Sequence, residues 1–397
     1  MGQQSARNSA PDQEIAAKAS RRFKEVDALR GIAALVVVLY HFSGADHIVP
    51  GYLATPSFEH WWIMAWSTIF NGTAATMIFF VISGFVLGQG APSAPSLRFC
   101  LSFAVRRIFR IMPGVWASLI LGAALATWFW RQPFDFSLHD WLAAGLLQPQ
   151  AITVNGPLWS LRVEILGSAI FLILYYVSLK TGLLGQLALA AGLMVYINRG
   201  QASFEALYLV AFQFGIMSPT IGAPLMRRLP RPYFVVVCAS SACALAVACN
   251  LDRMQIINTV QHVEMEAIGS FVLVSAVIAR PPAFLFSRAA QFLGQVSYSL
   301  YLFNILLIRV VAMMMVRHLP DTFTLEHPAG WMLLQCLVTV PVCLMAAWLG
   351  YEVIERPFHR LGQRLGQAII RRQADRPALL QTVPNTTEQM SVAARRY

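Results

Sequence analysis

The stretch Asp27-Ala-Leu-Arg-Gly-Ile-Ala-Ala-Leu-Val-Val-Val-Leu-Tyr-His41 decides how the chain is read. Arg30 and His41 stand eleven residues apart, with an almost uninterrupted apolar run between them. On a helix that separation is about 16 Å, roughly half the hydrocarbon thickness of a bilayer. The spacing therefore predicts an arginine at one membrane face, joined by a single rod to a histidine near the midplane. An ionisable side chain at that depth is costly and marks function.

Composition agrees with a membrane chain. Of 397 residues, 57% are hydrophobic and 12% charged, with a mean hydropathy of +0.57; soluble domains hold about 45–50% and about 25%. Apolar stretches of near-spanning length recur from end to end, leaving no room for a sizeable soluble domain. The polar N-terminus carries Arg7, Lys18, Arg21, Arg22 and Lys24, and the apolar run after it ends without a small-residue cleavage site. A cleaved signal peptide is not expected. The net charge of +11 would point a soluble chain towards nucleic acid. Here the basic residues sit in short segments between apolar runs, as the positive-inside rule produces, and no nucleic-acid partner is expected. Cys100, Cys238, Cys243, Cys249, Cys336 and Cys343 form no C-x2-C pair. They read as small packing residues, and no metal site is expected.

The predicted fold is an all-α polytopic membrane helix bundle of about ten transmembrane helices. The candidate spans cover roughly 28–46, 71–90, 107–130, 157–179, 182–198, 204–222, 232–250, 257–279, 292–316 and 330–351. Ten crossings put both ends on one side. Lys and Arg cluster around 21–24, 98–107, 180, 227–231, 280–288 and 356–372, whereas the opposite segments hold mainly Arg131, Arg199, Arg253 and Arg317. That asymmetry predicts N-in and C-in. The semi-apolar segment 138–150 reads as a re-entrant or interfacial piece, because Asp135, His139 and Asp140 interrupt it. Three regions result: a polar N-terminal segment 1–22, a membrane domain 23–361, and a basic then polar tail 362–397. No internal repeat at a fixed period is present, which argues against an inverted-repeat transporter.

Five blocks are hard to explain by span hydrophobicity. They are Asp27-Ala-Leu-Arg30-Gly31 leading to His41; Phe79-Phe80-Val-Ile-Ser83-Gly84-Phe85; Arg106-Arg107-Ile-Phe-Arg110-Ile-Met-Pro113; Leu158-Trp159-Ser160-Leu161-Arg162-Val163-Glu164; and Ser297-Tyr-Ser-Leu-Tyr301 with Ile354-Glu355-Arg356-Pro357-Phe358. In this order and at these intervals, over about residues 23–361, the chain resembles the acyltransferase 3 family of integral membrane acyltransferases. The resemblance implies an enzyme of the bacterial cytoplasmic membrane. Such an enzyme takes an acyl group, commonly acetyl, from cytoplasmic acyl-CoA and passes it to a hydroxyl of a carbohydrate or glycolipid acceptor.

His41 matches the essential histidine of that family and Arg30 its partner. A neutral imidazole can take the proton of an attacking hydroxyl. Arg30, Arg106, Arg107 and Arg110 would lie near the cytoplasmic face, where guanidinium groups suit the phosphates of coenzyme A; positive-inside anchoring is the plainer role. Ser83 either lets helices approach closely or donates to the thioester oxygen. Glu164 can orient His41, hold an arginine or bind acceptor hydroxyls. Arg162 stands where the family pattern has a small polar residue, and offers itself as a local counter-ion for Glu164. Tyr298 and Tyr301 match the tyrosine-rich block, but Phe303-Asn304 replaces its usual Trp-His ending. Asp27, one turn before Arg30, can hold that arginine. Glu264 and Glu266, beside His262, belong either to the outer mouth of an acceptor pocket or to water.

Catalytic roles are thus expected for His41 and Glu164, and donor binding for Arg30, Arg106, Arg107, Arg110 and Ser83. The second class considered is a proton-coupled carrier of polar solutes that uses His41 and Glu164 as a relay. A non-catalytic assembly protein explains the hydrophobicity but neither the buried histidine nor the arginine cluster. Within the enzyme class, direct transfer to the acceptor and a relay through acylated His41 both stay open.

Overall fold

The computed structural model describes residues 23–43, 58–130, 138–148, 155–200, 202–318 and 327–371. The N-terminal segment 1–22 and the last part of the tail lie outside them. The described residues form helices and no strand, as an apolar solvent requires when every backbone group must find its partner within the segment. In chain order the helices are α1 Lys24–Tyr40, α2 Phe58–Ile69, α3 Gly72–Gly90, α4 Leu97–Leu125, α5 Leu138–Gly145, α6 Leu158–Asn198, α7 Leu209–Met217, α8 Ala223–Arg228, α9 Arg231–Arg253, α10 Thr259–Ala279, α11 Arg288–Val316, α12 Pro328–Gly350 and α13 Arg356–Arg371. Polar caps set several starts. Asn71 accepts from the N–H groups of Thr73 and Ala74 to begin α3, and Asn258 with Gln261 forms a capping box on α10.

Nine helical stretches among the described residues are long and apolar enough to cross a membrane. The sequence predicts about ten, and the difference lies in α6, one run of 41 residues where two spans are expected. A straight helix of that length would measure about 60 Å. Yet the rings of Trp159 and Phe204 lie 5.4 Å apart, and Arg162 Nε donates to Glu205 at 2.6 Å. Gln213 Nε2 also reaches both Ser178 Oγ, at 3.2 Å, and the carbonyl of Gln186, at 3.4 Å. The run therefore folds back at Gly182, whose φ of +63° and ψ of −154° suit glycine. The arms 158–181 and 183–198 then account for both expected spans.

Helix directions lead to the same count. Gly31 and Gly294 touch backbone to backbone, Arg30 meets Ser297 and His41 meets Asn304, so α1 and α11 run parallel. Phe80 meets Tyr208, Gly84 meets Phe212, and Gly215 meets Phe85, so α3 and α7 are parallel too. Two parallel spans need an odd number of crossings between them. Both pairings satisfy this when α6 crosses twice, and neither does when it crosses once.

Two helices differ from the sequence trace. The twelve-residue helix α2 is too short to span and was not expected; its Trp66 Nε1 donates to the carbonyl of Leu39, and its Glu59 accepts from the backbone N–H of Ala329. It braces the end of the bundle that holds His41. Helix α13 continues beyond residue 361, packing Gly362 and Gly366 against Phe109, Arg106 and Ser102 of α4. In the segment after α4, the eight-residue α5 rises only about 12 Å. Asn155 is fully buried and donates to the carbonyl of Leu302, half-way along α11. The chain dips into the bundle there, and α6 starts at that depth.

The α1–α11 contact leaves no space for a side chain: a Cβ on Gly31 would lie 2.2 Å from the backbone nitrogen of Gly294. Gly31→Ala should lower the thermal stability of the purified protein by about 1–3 kcal/mol or more. Gly90→Ala, where a Cβ meets nothing within 4 Å, should leave it unchanged. Size-exclusion chromatography after a heating series reads both.

Candidate active site among the helices

A cavity lies where α1, α3, α4, α6 and α11 meet. Arg30 comes from α1, Ser83 from α3, Arg107 and Arg110 from α4, Ser160 and Glu164 from α6, and Tyr298 and Tyr301 from α11. Four of the five expected donor-binding residues are therefore brought together. Arg106 is not among them. It lies about 100° around the helix from Arg107, donates to the carbonyl of its own Ser102, and packs on Phe99 and α13.

Glu164 is the carboxylate of the cavity. It accepts from Ser83 Oγ at 2.8 Å and from the Arg107 guanidinium, which also donates to Ser168. Ser168 follows Glu164 by one helical turn and donates back to its carbonyl at 2.6 Å. Arg30 donates from Nε to Ser297 Oγ at 3.0 Å and lies 3.7 Å from Asp27, the partner expected from the sequence. Tyr298 donates to the carbonyl of Ile111 at 2.6 Å, in the turn after Arg110, and ties α11 to α4. Glu355, in the π-helical turn before α13, accepts from Ser299 and stands within electrostatic reach of Arg30 and Arg110. Three guanidinium groups in the cavity are thus balanced by Glu164 inside it and by Asp27 and Glu355 beside it.

His41 begins the short 3-10 turn after α1, and its Nδ1 lies 2.7 Å from Asn304 Oδ1. Eleven residues make close to three helical turns, so Arg30 and His41 share one face of the rod. His41 lies beyond the cavity lining. Tyr301, one turn before Asn304 and joined by its hydroxyl to Ser160 at 2.6 Å, lines the cavity on that side.

Two sequence expectations for Glu164 give way here. It neither orients His41, which rests on Asn304, nor pairs with Arg162. Arg162 binds Glu205 at 2.6 Å and the carbonyl of Leu147 at 2.9 Å, fastening the segment that holds α5. Of the roles weighed for Glu164, holding an arginine is the one that matches its contacts. Ser83 spends its hydroxyl on Glu164, and Gly84 beside it takes the close helix contact. Glu264 bonds Asn198 at 2.5 Å, whereas buried Glu266 accepts from Asn71 and Thr73 and pairs with His262, which bridges to Asp252. Neither glutamate lines the cavity. Sequence reasoning missed Ser168 and Asn304; a polar residue one turn from Glu164 was the available signal for the first.

Fold and cavity together define a multi-pass membrane protein with a buried cluster of arginines and a carboxylate. Residues 23–348 match the model of the acyltransferase 3 family, described as an acyltransferase domain, and the chain belongs to that family. No curated protein and no solved structure matches it.

The Arg107–Glu164 pair is largely shielded, with side-chain exposures of 12% and 15%. Arg107→Ala strands the carboxylate and should cost about 3–5 kcal/mol of stability. Adding Glu164→Gln to that variant should restore most of the loss. Thermal melts of wild type and the two variants in one detergent measure it.

Proposed function

We propose that the protein moves an acyl group, acetyl in the simplest case, from cytoplasmic acyl-CoA to a hydroxyl of a carbohydrate acceptor. The acceptor is a surface polysaccharide or its lipid-linked precursor, and the membrane is the bacterial cytoplasmic one. Residues 23–361 carry the activity. Both chain ends lie in the cytoplasm, a reading supported by Lys24, Arg98, Arg227, Arg228, Arg231, Arg280 and Arg288 at one end of the bundle.

The observation that carries this reading is the arrangement along α1. Arg30 opens onto the cavity with Arg107 and Arg110, and His41 stands about 16 Å further along the same face. Arginines with fork geometry suit the phosphates of coenzyme A. The Nε of Arg107, buried without a hydrogen-bond partner among the described residues, is a further donor for such a group. Arg106 belongs to the same cytoplasmic cluster but supports the α4–α13 contact. The phosphopantetheine arm then carries the thioester along α1 towards His41.

There the acceptor hydroxyl oxygen attacks the thioester carbonyl carbon while the His41 imidazole takes the hydroxyl proton. A new C–O bond forms, the C–S bond breaks, and the proton passes from the imidazolium to the departing thiolate. Glu164 serves by holding Arg107. We favour direct transfer over an acyl-histidine intermediate because His41 has a hydrogen-bonded support suited to a base.

Reconstituted protein supplied with acetyl-CoA and extracted envelope glycan should release free thiol and form acetyl ester in equal amounts, and only when the glycan is present. His41→Ala should reduce both by about 10²- to 10⁴-fold. Thiol release at the wild-type rate in that variant would remove His41 from the chemistry, and solute uptake without thiol release would establish a carrier.

Donor binding gives a separate check. Arg110→Ala should weaken acetyl-CoA binding by about 10- to 100-fold, the worth of a hydrogen bond to a charged group, and Arg110→Lys should recover part of it. Arg106→Ala should bind acetyl-CoA as the wild type does. Calorimetric titration of the solubilised proteins distinguishes them.

A further inference from the structure

Asn304 is fully buried in α11, and the two ends of its amide have different surroundings. Nδ2 lies 3.1 Å from the carbonyl oxygen of Leu300 and 2.7 Å from that of Tyr301. Carbonyl oxygens only accept, so the atom facing them is the NH2 group. The amide oxygen therefore faces His41, 2.7 Å from Nδ1. Since that oxygen has no proton to give, the hydrogen between them must sit on Nδ1. The neutral ring then carries its lone pair on Nε2.

We infer that Asn304 is a positioning residue for the transfer reaction: it locks His41 as the Nδ1–H tautomer and so makes Nε2 the nitrogen that accepts the hydroxyl proton. The inference rests on the reading of His41 as the base. Two helix carbonyls hold the amide, so its oxygen cannot turn away without giving up both bonds. A ring so held spends no time in the unproductive tautomer, the purpose that supporting hydrogen bonds serve around other working histidines. A neutral amide does this without placing a further charge in the membrane interior.

Asn304→Leu keeps the bulk but removes the acceptor. It should lower kcat by about 10- to 100-fold and leave the KM for acetyl-CoA unchanged. Asn304→Asp should recover most of the rate, because its carboxyl group keeps an oxygen that can accept from Nδ1–H. In a His41→Ala background, Asn304→Leu should cause no further loss, since residues that act as a unit are not additive.

Wild-type kcat in Asn304→Leu would overturn the proposal. So would an Asn304→Asp enzyme as slow as Asn304→Leu, or an additional fall in the His41→Ala background. Should His41→Ala itself turn over at the wild-type rate, the assignment of the base fails, and that result is distinct from an inactive His41→Ala beside a fully active Asn304→Leu.

Discussion

The backbone contact between Gly31 and Gly294 sets the geometry on which the site depends. Within a bilayer, lipid tails are as apolar as leucine, and helices associate through close van der Waals packing and hydrogen bonds. Two glycines let α1 and α11 approach until their backbones touch. Once they do, the register of the two rods is fixed, and two polar pairs follow from it. Arg30 meets Ser297 just above the glycines, and His41 meets Asn304 near the other end of α1. A shift of one residue along either rod would break both.

Charge imposes the second constraint. Arg107 is a full cation in the bundle interior, tolerable because Glu164 and Ser168 both accept from its Nη2, and Ser83 shares the carboxylate. The four groups come from three helices, so the ion pair also fastens α3, α4 and α6 around the cavity. Under the proposed function, a donor phosphate would meet Arg107 at its Nε, unpartnered among the described residues, while Nη2 stays with Glu164 and Ser168.

Much of the bundle was legible in the sequence because hydrocarbon thickness dictates a minimum apolar length, and every span but the arm 183–198 comes close to it or exceeds it. Helix α2 escaped notice because twelve aromatic-rich residues fall short of that length. Block order pointed to Arg30, Ser83, Arg107, Arg110 and Glu164, which do share a cavity. Arg106 was grouped with its neighbour because adjacency in sequence conceals 100° of rotation about the helix. The partners of Glu164 and Arg162 were not legible: each lies on another element, and packing alone decides that Arg107 reaches the former and Glu205 the latter. Asn304 was read as the loss of a histidine, whereas its place beside His41 gives it a contact of its own.

The reversal at Gly182 leaves two arms of unequal reach. The second, 183–198, rises only about 24 Å, several ångströms short of an average hydrocarbon core. Leu183, Leu184, Leu187, Val195 and Tyr196 on it are exposed to the surroundings of the bundle. Lipid must thin around this arm, or the arm must ride lower than its neighbours, at a cost of a fraction of a kcal/mol for each ångström of mismatch. Bilayer thickness thereby becomes a mechanical load on one side of the protein. Shorter acyl chains would relieve that load, and longer ones would transmit it through Gln186 and Gln213 to α7, the helix packed against the cavity wall at Phe80.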